Sequence, residues 1–321
     1  MSSIPDLLVI ASRGSRLARR QAQIIADLLT EAHPDVAVEI STVATEGDRD
    51  HRAFAAIGGR GLFVSEVERE VVEGRADVAV HSAKDLTADL APECAIVCVP
   101  PRAAVCDVVV GGRGDSGEER LRALRPEATV GTSSMRRRLL VGEARPDVVV
   151  VELRGNLDTR LDKVARGEVD TAILAAAGID RLRADAVCAP LDPGWWIPAP
   201  AQGALAVEAL ADRADVAELF APLEDAGARA EISCERAFAR TLEGGCSVPL
   251  GCLARSGAGG LVATGWLASP LTQQSIRDRI SGPVDSAEAL GTELAEAVLA
   301  GGGDELLADV RDADAMEPSP P

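Results

Sequence analysis

Short apolar runs alternate with amphipathic stretches through the first two-thirds of the chain, and that rhythm leaves few folds open. "LLVIAS" (7–12) has the length of a strand, and "SRLARRQAQIIADLLTEA" (15–32) carries apolar residues at helical spacing. "VAVEISTVA" reads as a strand, "LFVSEVEREVVEG" as a helix and "ADVAVHSA" as a strand again. This β-α-β order implies a parallel sheet covered by helices. A proline pair, Pro100-Pro101, interrupts it, and a second series follows in "ATVGTS", "SMRRRLLVGEA", "DVVVVEL", "NLDTRLDKVARGE" and "DTAILAA". Hinges are expected near 100–105 and 198–203. From about residue 225 a helix, "ARAEISCERAFARTL", leads to a Gly-rich corner, two strand-like runs and a helix, "SAEALGTELAEAVLA". The fold class expected is therefore α/β: two domains with parallel-rich sheets and a cleft between them, plus a small C-terminal α+β domain. The boundaries expected are 1–102 with 203–222, then 103–202, then 223–321. The tail "DADAMEPSPP" is expected to be disordered.

In such sheets ligands sit at the C-terminal ends of the strands, where helix N-termini favour anions. The residues at those ends bear this out. Arg13 and Ser15 follow the first strand, with Ser15 placed to cap a helix. Lys84 and Asp85 follow "ADVAVHS". Thr132, Ser133 and Ser134 follow "ATVG", with Arg136 and Arg137 opening the next helix. Arg154 and Arg160 lie beyond "DVVVVEL", and Arg181 lies beyond "AILAAAGID". A single arginine near a helix start is ordinarily just solvated. Six at equivalent strand ends point to a polyanion, since the guanidinium fork pairs bidentately with carboxylate or phosphate. Asp85 reads as a helix cap, as a general acid/base, or as a charged group that stabilises a cation in the cleft.

Composition sets the limits. With 51 acidic against 33 basic residues the net charge is −18, which argues against nucleic-acid and anionic-membrane binding. The N-terminus lacks a basic start and a long apolar run, so no export signal or membrane helix is read and a cytoplasmic protein is expected. The seven cysteines (Cys94, Cys98, Cys106, Cys188, Cys234, Cys246 and Cys252) are irregularly spaced, and most read as small buried hydrophobes. With no C-x-x-C and three histidines, no metal site is expected.

Five motifs together, "VHSAKDL" (80–86), "VGTSSMRRR" (130–138), "LRGNLDTRL" (153–161), "PAPAQGALAVE" (198–208) and "ERAFARTLEGGCSVPLG" (235–251), closely resemble the porphobilinogen deaminase (hydroxymethylbilane synthase) family. "IASRGSRLARRQA", "TEGD" and "GGRGLFVSEVE" fit as well, and the motifs occur in the family's order over about residues 8–252. The resemblance implies that the first two domains are built like periplasmic binding proteins. It implies a transferase that joins four porphobilinogens head to tail with loss of ammonia, giving the linear tetrapyrrole hydroxymethylbilane of heme and porphyrin biosynthesis. It implies a dipyrromethane cofactor held by a thioether to Cys246, on the cysteine loop of the third domain. By the same resemblance Asp85 is the catalytic aspartate. Arg13, Arg136, Arg137, Arg154, Arg160 and Arg181 bind carboxylates. Ser15, Lys84, Thr132, Ser133 and Ser134 are polar binding positions, Phe63 packs near the rings and Gln202 lies in the interdomain segment. A monomer with porphobilinogen as its small-molecule partner is implied too. Gly14 and Glu46 depart from the family pattern beside the cleft.

Two other readings share part of this pattern. A two-domain solute-binding module would explain the anion cleft but not Cys246. A phosphate-handling transferase would want a G-x-x-x-x-G-K loop, which does not occur.

Overall fold

The computed structural model describes residues 6–43, 61–87, 89–243 and 248–316. Strand β1 (Leu7–Arg13) hands over at Ser15 to helix α1 (Arg16–Ala32), where the Ser15 hydroxyl accepts the Ala18 N–H at 3.2 Å. Gln21, Ala22, Ile25, Ala26 and Leu29 form one buried stripe on α1, which lays the helix on the sheet. Strand β2 (Ala37–Val43), helix α2 (Gly61–Val72), strand β3 (Val78–Ser82) and strand β4 (Cys94–Cys98) follow. The second series runs β5 (Asp107–Val110), α3 (Gly117–Arg122), β6 (Thr129–Gly131), α4 (Met135–Ala144), β7 (Val149–Val151), α5 (Leu157–Ala165), β8 (Thr171–Ala175), α6 (Ala176–Leu182) and β9 (Cys188–Pro190). Strand β10 (Leu205–Leu210) and helix α7 (Ala214–Phe220) return to the first series.

Two five-stranded sheets result, ordered β2-β1-β3-β10-β4 and β7-β6-β8-β5-β9. In each, the first three strands are parallel, as the sequence rhythm implies. The fourth, β10 or β5, runs antiparallel to both its neighbours. A strand buried on both sides reads as a plain apolar run, so its direction does not show in the sequence.

The last unit is an antiparallel meander of β11 (Leu250–Gly257), β12 (Gly260–Ala268) and β13 (Ser275–Gly282). Helices α8 (Ala226–Thr241) and α9 (Ala287–Val298) share one apolar core with it. Gly291 lets these helices cross closely: a Cβ there would lie 2.1 Å from the Cys234 carbonyl oxygen. A further helix, α10 (Asp304–Met316), was not expected. It takes Asp312–Met316 of the "disordered" tail, because Leu306, Leu307 and Val310 supply a buried stripe that composition alone hides.

Two chain segments cross between the large sheets, and they are tied together. The Ala103 N–H donates to the Gly203 carbonyl at 3.1 Å, and Arg102 Nε to the Gln202 carbonyl at 3.0 Å. Gly203 has φ +87°, and a Cβ would fall 2.6 Å from the Ala103 oxygen, so glycine is required there. Helix α8 clamps both crossings through Glu235. Its carboxylate accepts from both Arg102 Nη atoms at 2.8–2.9 Å, from Ala201 N at 2.5 Å and from Ala254 N at 2.8 Å. Glu231 adds a 3.0 Å contact to Arg102. Burial alone would weaken the Arg102 charge, but these two carboxylates raise its pKa above the ordinary arginine value.

Candidate active site

The ends of the parallel strands carry the residues singled out by sequence. Arg13 is the last residue of β1, level with Val43 of β2. The adjacent β3 runs into a single 3₁₀ turn, Ala83–Asp85, so Lys84 and Asp85, both half-buried, emerge one strand away from Arg13. Asp85 does not cap a helix; it closes this turn. The turn is held from several sides. Gln21 Nε2 of α1 donates to Ser82 Oγ at 2.7 Å, and the Ala83 N–H donates to the Ala204 carbonyl at 3.1 Å. Arg236 of α8 donates through Nη2 to the Thr87 carbonyl at 3.0 Å. Burial pulls the Arg236 pKa below the ordinary arginine value. Sequence reasoning missed Arg236, although it stands inside the "ERAFARTLEGGC" motif.

In the second sheet Thr132, Ser133 and Ser134 form the loop between β6 and α4. Thr132 Oγ1 accepts the Ser134 N–H at 3.2 Å, Ser134 caps α4 by accepting the Arg137 N–H at 3.4 Å, and Ser133 Oγ donates to the Leu153 carbonyl at 2.5 Å. Arg154 is exposed beyond β7 and pairs with Glu152, while Arg160 Nε donates to the Gly155 carbonyl at 2.8 Å. Arg181 ends up against the crossing segment, with Nη2 2.7 Å from the Gly203 carbonyl, and burial lowers its pKa to about 10. Arg16 of α1 meets Asp158 of α5 at 3.0 Å, an ion pair between the two large lobes.

Arg136 and Arg137, which the sequence reading aimed at a ligand, meet a carboxylate of the chain itself. Both are buried, and each places one Nη 2.7 Å from a separate oxygen of Asp107. Their other Nη atoms donate to the Ile197 and Ile173 carbonyls. Asp107 also accepts from Trp196 Nε1 and Gln202 Nε2, both at 2.9 Å. Burial alone would raise the Asp107 pKa; the two guanidiniums hold it far below the carboxylate range. This hub was missed too, although a lone aspartate opening the run "DVVVGG" was a visible signal. Among the described residues, Arg137 Nε remains buried without a hydrogen-bond partner. Phe63 lies on α2, with only its backbone position described. Cys246 and Glu46 lie outside the described residues.

A second buried polar group lies in the first sheet. His81 of β3, Glu208 of β10, Cys94 of β4 and Glu68 of α2 are all buried. His81 Nε2 is 2.8 Å from Glu208 Oε2. Burial would raise the Glu208 pKa, but His81, Glu68 and Cys94 hold it down. Burial pushes the Glu68 carboxyl up to about 7 and the Cys94 thiol up to about 12.

Two parallel-rich sheets whose strand ends carry basic and hydroxyl side chains, and a carboxylate on a pinned turn, suit an enzyme of polyanionic substrates. The family description "Porphobilinogen deaminase, dipyromethane cofactor binding domain" matches residues 8–218, and "Porphobilinogen deaminase, C-terminal domain" matches residues 229–300. Relatives named porphobilinogen deaminase include one from Bordetella parapertussis, 43% identical over 95% of this chain and 96% of its own. Another, from Roseiflexus castenholzii, is 42% identical over 94% and 98%. The chain belongs to the porphobilinogen deaminase family: it is a transferase that polymerises porphobilinogen to hydroxymethylbilane on a dipyrromethane cofactor. Among solved structures, the Bordetella pertussis BvgS VFT2 domain resembles 67% of this chain and 84% of its own at 17% identity and TM-score 0.39. No described helix is long and apolar enough to cross a membrane.

Proposed function

We propose that Asp85 is the catalytic carboxylate of this polymerisation, and that Arg13, Ser15, Phe63, Lys84, Thr132, Ser133, Ser134, Arg136, Arg137, Arg154, Arg160, Arg181 and Gln202 bind the cofactor and the growing chain. Cys246 is the attachment residue. The domains are 1–102 with 203–222, 103–202, and 223–321. The protein is a cytoplasmic monomer that binds neither nucleic acid nor membranes.

The donor set fits the cofactor. Dipyrromethane carries four carboxylates, and the strand ends offer guanidiniums and hydroxyls from both lobes. The orphaned Arg137 Nε supports this fit, since a buried donor without an acceptor carries a cost that a carboxylate would relieve. When bound, the cofactor supplies the primer pyrrole on which the chain grows. The residues do the rest. The arginines hold the acetate and propionate groups in register. Asp85 would face the reacting ring, where losing ammonia from the incoming porphobilinogen leaves a cation that a fixed carboxylate would stabilise. Hydroxyls at the capped start of α4 add donors for anionic groups.

The observation that carries this reading is the pinned turn at Ala83–Asp85. Gln21 holds the Ser82 side chain, and Ala204 and Arg236 hold the backbone on either side of Asp85, the condition under which one charge is worth most to a transition state. The test is Asp85→Asn with intact mass and turnover measured on the same sample. The expected outcome is a mass one dipyrromethane above the bare chain, with turnover down by about 10²–10³. Turnover within about threefold of wild type would remove Asp85 from the mechanism. Separately, Cys246→Ser is expected to show the bare mass; a retained cofactor there would place the attachment elsewhere.

A further inference from the structure

We propose that Arg236 is a positioning residue of the polymerisation: from the C-terminal unit it holds the turn that carries Asp85, so that the carboxylate meets the reacting ring. The inference rests on the reading of Asp85 given above. It starts from where helix α8 lies. One face of α8 belongs to the core of the C-terminal unit, through Ala230, Cys234 and Phe238. Another face enters the first lobe, where Ala228 and Ile232 share a buried cluster with Ala83, Val99 and Ala204. Ala83 opens the turn that ends at Asp85. Ile232 and Arg236 are four residues apart, so they stand one above the other on the same side of the helix.

These two side chains bracket Asp85. Ile232 shares its cluster with Ala83, two residues before the carboxylate, and Arg236 Nη2 donates to the Thr87 carbonyl, two residues after it, at 3.0 Å. One turn of α8 thus backs the arc from residue 83 to residue 87. The first lobe holds the near side of that arc, with Gln21 on Ser82 and the Ala204 carbonyl on the Ala83 N–H. Beyond Asp85 the tie comes from Arg236. A charged donor makes roughly twice as strong a hydrogen bond as a neutral one. Burial and Arg240 lower the Arg236 pKa, while Glu208 and Asp89 act to keep its charge.

The position of Arg236 in the chain adds to its role. Helix α8 ends at Thr241, and Cys246 follows Arg236 by ten residues. The neighbouring Glu235 clamps the two crossing segments. The helix that leads to the attachment corner therefore also holds the catalytic turn, and a shift of α8 is felt at Asp85. Because Arg236 acts through the backbone of Thr87, its loss leaves the carboxylate-binding arginines in place. Turnover falls while substrate affinity stays, since a placement error of about 1 Å can cost on the order of 10²-fold in rate.

The experiment is a double-mutant cycle on cofactor-loaded protein: wild type, Arg236→Gln, Asp85→Asn and the double variant. Intact mass, melting temperature, kcat and KM for porphobilinogen are measured on each. Arg236→Gln should keep the full cofactor mass and a KM within about twofold of wild type, while kcat falls by about 10- to 100-fold. Arg236→Lys keeps a charged donor and should bring kcat back to within about threefold of wild type. In the Asp85→Asn background, Arg236→Gln should change kcat by less than about twofold, because the carboxylate it positions is already gone. Losses that multiply would mean that Arg236 acts elsewhere, and an unchanged kcat in Arg236→Gln would mean that the turn holds without it; either overturns the proposal. If Arg236→Gln and Arg236→Lys both fail to fold or to load, the residue is structural and the proposal falls as well. Asp85→Asn alone separates the two readings. Turnover near wild type there removes the Asp85 reading and this one with it, whereas a large loss there with no effect of Arg236→Gln removes this one alone.

Discussion

Each large sheet carries a fully buried carboxylate on its antiparallel strand: Asp107 on β5 and Glu208 on β10. The strands occupy the same place in the two sheet orders. Their surroundings differ in counter-charge. Asp107 meets two guanidiniums, an indole N–H and a side-chain amide, all with good geometry. Glu208 meets one imidazole, a second carboxyl and a thiol. A buried anion is stable only when its charge and its lone pairs are both met. The second sheet meets them from its own residues and so makes a rigid pin at the crossing. The first meets the charge with one imidazole and with protons held on a second carboxyl and a thiol.

The largest expected effect separates the two. Asp107→Asn keeps the shape but leaves two buried guanidiniums facing a neutral amide, and should cost about 3–5 kcal/mol of stability in urea unfolding. Glu208→Gln removes a charge whose partners are one imidazole, a carboxyl and a thiol, and should cost about 1–3 kcal/mol. Equal losses would erase the distinction drawn between the sheets.

That contrast also marks what the sequence made legible. Strand and helix spacing gave both parallel series, and Ser15, Lys84, Asp85 and the Thr132–Ser134 loop fall at strand ends as read, because those positions depend on local pattern. The partner of Arg136 and Arg137 did not show. Asp107 is about thirty residues away in sequence, and only the antiparallel entry of β5 brings it under α4. For the same reason the double variant Arg136→Leu/Arg137→Leu would test the hub as well as the cofactor: a bare-mass product counts for ligand binding only if it still folds. Glu68, His81, Cys94 and Glu208 were invisible as a group, since cross-strand register, not spacing, assembles them. Helix α10 was masked by the polar composition of its last turn.

The smallest expected effect concerns the direction of pH dependence. Asp107 has its pKa lowered by Arg136 and Arg137, although burial acts the other way. Its contribution is therefore present above the unfolded value of 3.8 and is lost as pH falls below it. Glu68 has the opposite sign. Burial raises its pKa from 4.5 to about 7, so the folded state holds this proton more tightly than the unfolded chain. Its contribution is fully present below 4.5 and is lost as pH rises through 7. A glutamine at this position stays neutral at every pH and can still donate toward Glu208. Glu68→Gln should therefore match wild type near the acid end of that window, then become the more stable form above its upper end, by of order 1 kcal/mol after solvent screening. The measurement is the difference in unfolding free energy between the two proteins at closely spaced pH values. A difference that stays flat across the window would mean that Glu68 is already ionised in the folded chain. Glu208 would then share its buried face with a second full negative charge, and the first sheet would need more counter-charge than His81 can give.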